Sequence, residues 1–468
     1  MKKQVYILGG GISGLTLAVQ FLRRFGNKCS VTVIEGSENI GGIAGSFHVD
    51  GLTFDYGSHR IHPATPAHIF SDIKAYLGND LLERPRNGRI RLLETYIPFP
   101  LRPAEMLRNL PYRFTAGFIF DLLKKALGSK QIAPSNFADA LRQDLGNTIC
   151  ENFYFPFARK LWGVEPSEIA PVQARRRVAA QGMVALIKKA FCNTNSTKNF
   201  FYYPRKGFGQ LADALAEECR KLGGVILTST QIKSINTERG RITGICIGTP
   251  SLQSYDTDMV FSTIPVSALV NLLLPPVVPP IRTAVDSLRY RSLVLLYMVL
   301  DTDRFTPYDA HYFAQPDVFF SRVSESKNYT DSPCSSKTGI CLEIPCFYND
   351  DVWNADSQTL GKQALDDLEK AGMPVACRIE QVFKKSVRYA YPLYERNYGW
   401  NMTIINTFLE GITNLICLGR HGLFLHDNIH HDMDMAYTAV SCVQNDCSFD
   451  TGRWLGQLPR FKDQVVED

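Results

Sequence analysis

Residues Val5-Tyr6-Ile7-Leu8 form a short apolar run that passes without a break into Gly9-Gly10-Gly11-Ile12-Ser13-Gly14. An apolar helical pattern follows at Leu15, Leu17, Ala18, Phe21 and Leu22. This arrangement narrows the choice of fold more than anything else in the chain. A buried strand, a glycine turn and a helix form the first half of a dinucleotide-binding unit, and each glycine has a mechanical role. Gly9 permits the tight turn, Gly11 lets backbone approach a pyrophosphate, and Gly14 lets the helix pack on the strand. Ser13 lies in the same turn, where the helix N-terminus offers unpaired N–H groups to phosphate. A second strand, Val31-Thr32-Val33-Ile34, ends at Glu35. That carboxylate stands about 20 residues beyond the glycines, where a ribose-binding acid is expected.

Directly after Glu35 comes a second glycine cluster, Gly41-Gly42-Ile43-Ala44-Gly45-Ser46-Phe47. The two clusters together resemble the extended fingerprint of the FAD-dependent amine oxidase, protoporphyrinogen oxidase and phytoene desaturase superfamily, which implies FAD as the cofactor. Later runs fit that resemblance. Val225–Leu227, then Ile232 and Ile235 with Ile242–Ile247, alternate like paired strands. Met259–Pro265 is similar to the strand leading out of the superfamily's FAD domain, and Leu415–Arg420 to its last FAD-contacting strand. The expected fold is therefore α/β. A Rossmann-type FAD domain is assembled from residues 1–60, 201–267 and 405–468, and a mixed α+β substrate domain from 61–200 and 268–404. Within the latter, Phe114–Leu127 and Phe137–Asp144 carry helical patterning, and Leu293–Leu300 and Ile340–Ile344 read as strands. By resemblance the cofactor contacts extend to Gly41, Gly42, Gly57, Ser58, His59, Ile232, Gly419, Arg420 and Met433.

Several segments are similar to UDP-galactopyranose mutases and their bacterial flavoprotein relatives. They are Phe54–Ile61, Phe157–Gly163, Tyr203–Gly209, Leu288–Leu293, Tyr389–Pro392 and Gly419–Gly422. The resemblance implies substrate contacts from Lys160, Trp162, Arg176, Arg291 and Tyr391, with His59, Arg291 and Arg420 nearest the chemistry. These residue types suit such contacts, because arginine's planar fork matches phosphate or carboxylate oxygens and tryptophan can stack on a flat ring. His59 could hydrogen-bond the flavin or move a proton. The stretch His426–Asp434 departs from the mutase pattern and is nearer the protoporphyrinogen-oxidase-like relatives. His426 and His430 are spaced to share one helix face and could hold a metal with Asp427 or Asp434. A flavin-adjacent role is preferred there, and no metal is expected.

A chain of 468 residues exceeds one compact core. With 45% hydrophobic and 21% charged residues and a net charge of +5, it has no basic stripe interleaved with aromatics, so a nucleic-acid partner is not expected. The arginines recur instead near the substrate motifs, which points to an anionic small molecule. Twelve cysteines are scattered without a CxxC pair, as in a reduced cytoplasmic protein. No apolar run approaches the ~20 residues that span a bilayer. The apolar stretch at Phe118-Ile119-Phe120 is expected to pack in the core, although peripheral membrane contact stays open. The leading expectation is an FAD-dependent oxidoreductase that takes hydride from an anionic or amphipathic organic substrate, with oxygen or another acceptor reoxidising it. The alternative is a non-redox flavin-dependent nucleotide-sugar mutase.

Overall fold

A computed structural model describes residues 2–99, 108–127, 133–177, 200–248, 252–330 and 336–466. Strand β1, Lys3–Leu8, runs into the glycine turn; helix α1, Ile12–Phe25, follows, and strand β2, Cys29–Ile34, returns parallel to β1 with Val5 opposite Val31. These strands centre a five-stranded parallel sheet in the order Leu415–Cys417, Met259–Ser262, β1, β2, Val225–Leu227. One face is covered by α1 and by helices Gln210–Lys221 and Ile429–Ser441, through Leu15, Phe21, Leu211, Leu215 and Met433 among others. On the other face Tyr6, Leu8, Ile34 and Val260 pack against Ile235, Ile242 and Ile245. Those isoleucines belong to a separate four-stranded sheet built on the antiparallel pair Ile232–Glu238 and Arg241–Gly248. Cover on both faces explains why the parallel strands read as near-continuous apolar runs.

The second half is organised by a seven-stranded sheet in the order Ile379–Pro392, Tyr290–Leu300, Thr338–Cys346, Arg322–Glu325, Ala310–Phe313, Gly88–Leu92, Thr95–Phe99. Its pairings are antiparallel except that Ala310–Phe313 and Gly88–Leu92 run parallel. Tyr290–Leu300 is buried along almost its whole length, between Phe54 and Ala390 on one side and Ile340, Leu342 and Ile344 on the other. Helices Tyr112–Ala126, Phe137–Leu145 and Phe155–Trp162 lie beyond it.

The expected core packing of Phe118-Ile119-Phe120 holds only for Phe118, which is partly buried against the core. Helix Tyr112–Ala126 carries two apolar stripes, and only one can face the domain. Phe114 and Asp121 are turned inward, whereas Ile119, Phe120 and Leu123 are exposed.

Asp55 joins the two halves. Its Oδ1 accepts from the Ser46 hydroxyl and, at 3.0 Å, from the Phe208 N–H; its Oδ2 accepts from the Tyr203 hydroxyl. Its backbone carbonyl accepts from Tyr297 Oη at 2.7 Å, on the central strand of the seven-stranded sheet. The side chain is buried, so removing it strands three donors away from water. Asp55→Ala should destabilise the protein by about 3 kcal/mol or more, and Ser46→Ala, which deletes one donor, by about 1 kcal/mol. Urea unfolding of the two variants checks this; equal losses would show that Asp55 is not the junction.

Candidate active site

The glycine turn leaves helix α1 open at its N-terminus. Gly11 is its N-cap and supplies no capping side chain, so the first N–H groups of the helix face outward for an anion. A Cβ on Gly11 would meet only the Gly41 carbonyl, at 3.9 Å, and would otherwise stand in open space. Gly9, Gly41 and Gly42 have φ of 104°, 96° and 57°, conformations that favour glycine. Glu35 closes the loop: its Oε2 accepts from Gly10 N–H at 2.7 Å and its Oε1 from Ser37 N–H at 2.8 Å.

Above this cradle lies a cavity of about 600 Å³, lined by both glycine clusters, by Tyr56, Ser58, His59 and Arg60, and by Ser386–Tyr389 of the seven-stranded sheet. Five arginines reach it: Arg60, Arg86, Arg322, Arg388 and Arg420. Two of them are held by buried carboxylates. Arg322 donates through Nε to Glu343 Oε1 at 2.8 Å, with Nη2 at 2.6 Å from the same oxygen, and Arg60 Nη2 lies 3.0 Å from Asp309 Oδ2. Glu343 also accepts from Ser58 N–H at 3.0 Å, so one carboxylate positions both the Gly57–Ser58 turn and an arginine. Arg388, exposed at the sheet edge, lies 4.0 Å from the Tyr348 ring centre and 5.0 Å from that of Tyr389.

His59 stands where cradle and arginine chamber meet. Its Nε2 is 3.0 Å from the Tyr56 carbonyl, a contact that requires Nε2 to donate and leaves Nδ1 as the acceptor. Burial lowers its pKa, opposed by the nearby Asp55 carboxylate, so the ring is held neutral. Asp432, at the start of helix Ile429–Ser441, accepts from Ser13 Oγ at 2.8 Å and from Arg420 N–H at 2.9 Å. Asp427 is buried beside it with both carboxyl oxygens lacking a hydrogen-bond partner among the described residues, and its nearest cation, Arg420 Nη1, is 3.6 Å away. Burial, and for Asp427 the adjacent Asp432 charge, push both carboxyls above the ordinary range.

Of the residues singled out from sequence, Gly9, Gly11, Ser13, Glu35, Gly41 and Gly42 line the cavity, as do Ser58, His59 and Arg420. The others do not. Gly14 lies beneath the turn, where a Cβ would come 2.1 Å from the Gly9 carbonyl oxygen. Gly57, at φ 89°, backs onto Glu343, and Gly419 brings backbone against Ser13, where a Cβ would meet Ser13 Oγ at 2.6 Å. Ile232 pairs with Ile247 in the four-stranded sheet, and Met433 is in the core beneath.

The substrate assignments change most. Arg291 is buried with Nε donating to the Leu161 carbonyl at 3.0 Å and Nη2 to that of Pro345 at 3.1 Å. Its donors fasten helix Phe155–Trp162 to the sheet and do not face the cavity. Arg176 donates to Tyr394 Oη at 2.8 Å and to the Lys462 carbonyl. Trp162 is packed edge-on against Tyr391 and His426, and Tyr391 lies under the Arg420 guanidinium, 5.3 Å from its ring centre. Lys160 donates to the carbonyls of Gln315 and, at 3.2 Å, Phe320. The shared helix face for His426 and His430 does not arise either, since His426 precedes the helix and bonds the Pro392 carbonyl. Among the described residues no group of three potential ligands could hold a metal.

Sequence reasoning missed Arg322, Arg388 and Glu343; it quoted Arg60 and Asp432 only within longer motifs and considered Asp427 only as a metal ligand. Glu343 had a signal, as a lone carboxylate inside the apolar run Ile340-Cys341-Leu342-Glu343-Ile344. A charge there must be paired.

The family model for flavin containing amine oxidoreductases matches residues 12–402. No curated protein matches in a direct sequence comparison. Among solved structures the chain is similar to a reduced UDP-galactopyranose mutase at 17% identity and a TM-score of 0.81, covering 100% of this chain and 98% of that one. It is also similar to a candidate protoporphyrinogen oxidase from Exiguobacterium sp. 255-15 (19% identity, TM-score 0.73, 94% and 98% covered). A cyclohexylamine oxidase from Brevibacterium oxydans IH-35A aligns at 17% identity and TM-score 0.63, over 94% and 98% of the two chains. At such identities the likeness is one of fold.

Lys160 separates a structural from a substrate role. Burial lowers its ammonium to about 7, while in the unfolded chain it titrates near 10.4. Between those values the unfolded state binds the extra proton, so stability rises with pH, by at most about 1.4 kcal/mol per pH unit. Lys160→Met should lack that rise, so that the stability difference between wild type and variant grows with pH across this range, and should leave ligand affinity unchanged. An unaltered pH slope with weakened ligand binding would return Lys160 to the substrate set.

Proposed function

Because the chain belongs to the flavin containing amine oxidoreductase family, we propose that it is an FAD-dependent oxidoreductase acting on an anionic organic substrate. The observation that carries this reading is one cavity shared by a glycine cradle and an arginine chamber. The residues present suit a dinucleotide. The α1 N-terminus and Gly11 would take the pyrophosphate and Glu35 the ribose hydroxyls, and the buried Asp427 carboxyl, beside Arg420 and Asp432, lines the same cavity. FAD, when bound, supplies a hydride acceptor. The protein's own part is to bind, orient and keep water out. Arg322 and Arg60, fixed by Glu343 and Asp309, present rigid forks to a carboxylate or phosphate, and Arg388 adds charge at the edge. Neutral His59, with Nδ1 free to accept, can take or return a proton beside the reacting centre.

A nucleotide-sugar mutase is the second reading, favoured by the same arginine chamber, which would also suit a diphosphate. Its support is narrower than the motifs implied, because Arg291, Arg176 and Tyr391 do not line the cavity.

The purified protein should bind FAD, and Gly11→Val should abolish binding while leaving the unfolding transition in place. Arg388→Ala should raise the Kd for an anionic substrate about tenfold, and His59→Ala should lower kcat with little change in Kd. Anaerobic mixing with substrate decides between the readings. Loss of the oxidised flavin spectrum without added reductant supports the oxidoreductase. Uridine-nucleotide binding that tightens after dithionite reduction, with no such bleaching across organic acids and amines, would replace it with the mutase.

A further inference from the structure

We propose that helix Tyr112–Ala126 docks on the surface of an anionic lipid bilayer, lying flat with its solvent-facing stripe in the headgroup region. The helix is fixed in rotation by its inner face. Phe114 is buried and stacked on Phe118, Asp121 Oδ2 accepts from Thr148 N–H at 2.6 Å, and Lys125 Nζ donates to the Asp144 carbonyl at 2.6 Å. A Cβ on Gly117 would come 2.7 Å from Thr148 Oγ1, so the helix sits directly on that neighbour. These contacts force the opposite face outward. Tyr112 is 76% exposed, Ile119 44%, Phe120 66%, Leu123 59% and Leu127, just past the helix end, 87%. At 100° per residue these side chains fall within an arc of about 120°.

The charge on this face has one sign. Arg113 and Lys124 are exposed along one flank of the arc, and Arg108 is exposed just ahead of the helix. Asp121, the only acid on the helix, is turned inward. An apolar stripe edged by basic residues, with an aromatic residue at one end, suits the boundary between acyl chains and anionic headgroups. A second protein of ordinary composition would bring acids to meet the cations but has no special claim on so narrow an apolar arc. Among the described residues no helix is long and apolar enough to cross a membrane, so the contact is peripheral. Each basic residue near an anionic surface strengthens binding about fivefold, and salt screens that part.

The test is co-sedimentation of the full protein with vesicles, either an equal mixture of phosphatidylglycerol and phosphatidylcholine or phosphatidylcholine alone. Wild type should pellet with the anionic vesicles and release with rising salt. Phe120→Glu with Leu123→Glu should lower partitioning at least about tenfold, and Arg113→Glu with Lys124→Glu should weaken it most at low salt. Both variants should keep the wild-type circular dichroism and unfolding transition, because the altered side chains face solvent. Wild type remaining in the supernatant, or the Phe120/Leu123 variant pelleting as well as wild type, overturns the proposal. So does self-association of wild type, without vesicle binding, that the Phe120/Leu123 variant abolishes; that result assigns the face to a second copy of the chain.

Discussion

The distance between helix α1 and the turn before it governs the rest of the structure. At Gly14 any side chain would occupy the space of the Gly9 carbonyl, 2.1 Å away; because there is none, the helix settles onto the strand end. Two consequences follow from that one contact. The helix N-terminus comes to the mouth of the parallel sheet with its first N–H groups pointing away from the core, and Gly11 comes level with Gly41, whose N–H bonds the Gly10 carbonyl at 2.8 Å. The second glycine cluster is thereby placed over the first. A parallel sheet offers its ligand site at the carboxyl ends of its strands, and every later segment that reaches the cavity does so around this fixed point.

Those later segments are brought in by buried carboxylates. Asp432 ties the third stretch of chain to the first through Ser13, across 419 residues of sequence. Asp55 ties the first to the second and to the seven-stranded sheet, and Glu343 ties that sheet back to the Gly57–Ser58 turn. A buried acid specifies position better than an apolar contact does, because its oxygens must be met by particular donors at particular angles. The same property makes each one sensitive to loss, since its donors have no water to turn to.

The cradle was legible in the sequence because its signals are local. Strand, turn, helix and acid lie within the first 35 residues, and the turn geometry demands glycine wherever it goes. The arginine chamber was not legible. Arg291, Arg176 and Arg322 look alike as letters, and what distinguishes them is which partner lies across the fold. Arg291 finds the Leu161 and Pro345 carbonyls, Arg176 finds Tyr394, and Arg322 finds a carboxylate that leaves it at the cavity wall. Each partner is distant in sequence. Helix Tyr112–Ala126 shows the converse limit: its apolar residues were plain, but which stripe faces the core was decided by Asp121 and Thr148.

The arginine chamber is also less cationic than its residues suggest, and this bears on how it can recognise a ligand. Arg60 and Arg322 each stand against a buried carboxylate, so each pair is close to neutral. What such a pair offers is geometry. A guanidinium has five N–H donors, and the carboxylate engages some of them and fixes the plane of the rest. Of the five arginines at the cavity Arg388 alone is exposed, set against the rings of Tyr348 and Tyr389, so it is the one an approaching anion meets first. An anion would first feel Arg388 at the edge and then be aligned by the fixed forks within. Such a division suits a substrate that must be held at a set angle to His59, because a chamber of unpaired charges would bind an anion in many orientations. A net charge of +5 on a 468-residue chain is enough for such a site on this reading, since orientation would rest on the buried acids that hold Arg60 and Arg322 still.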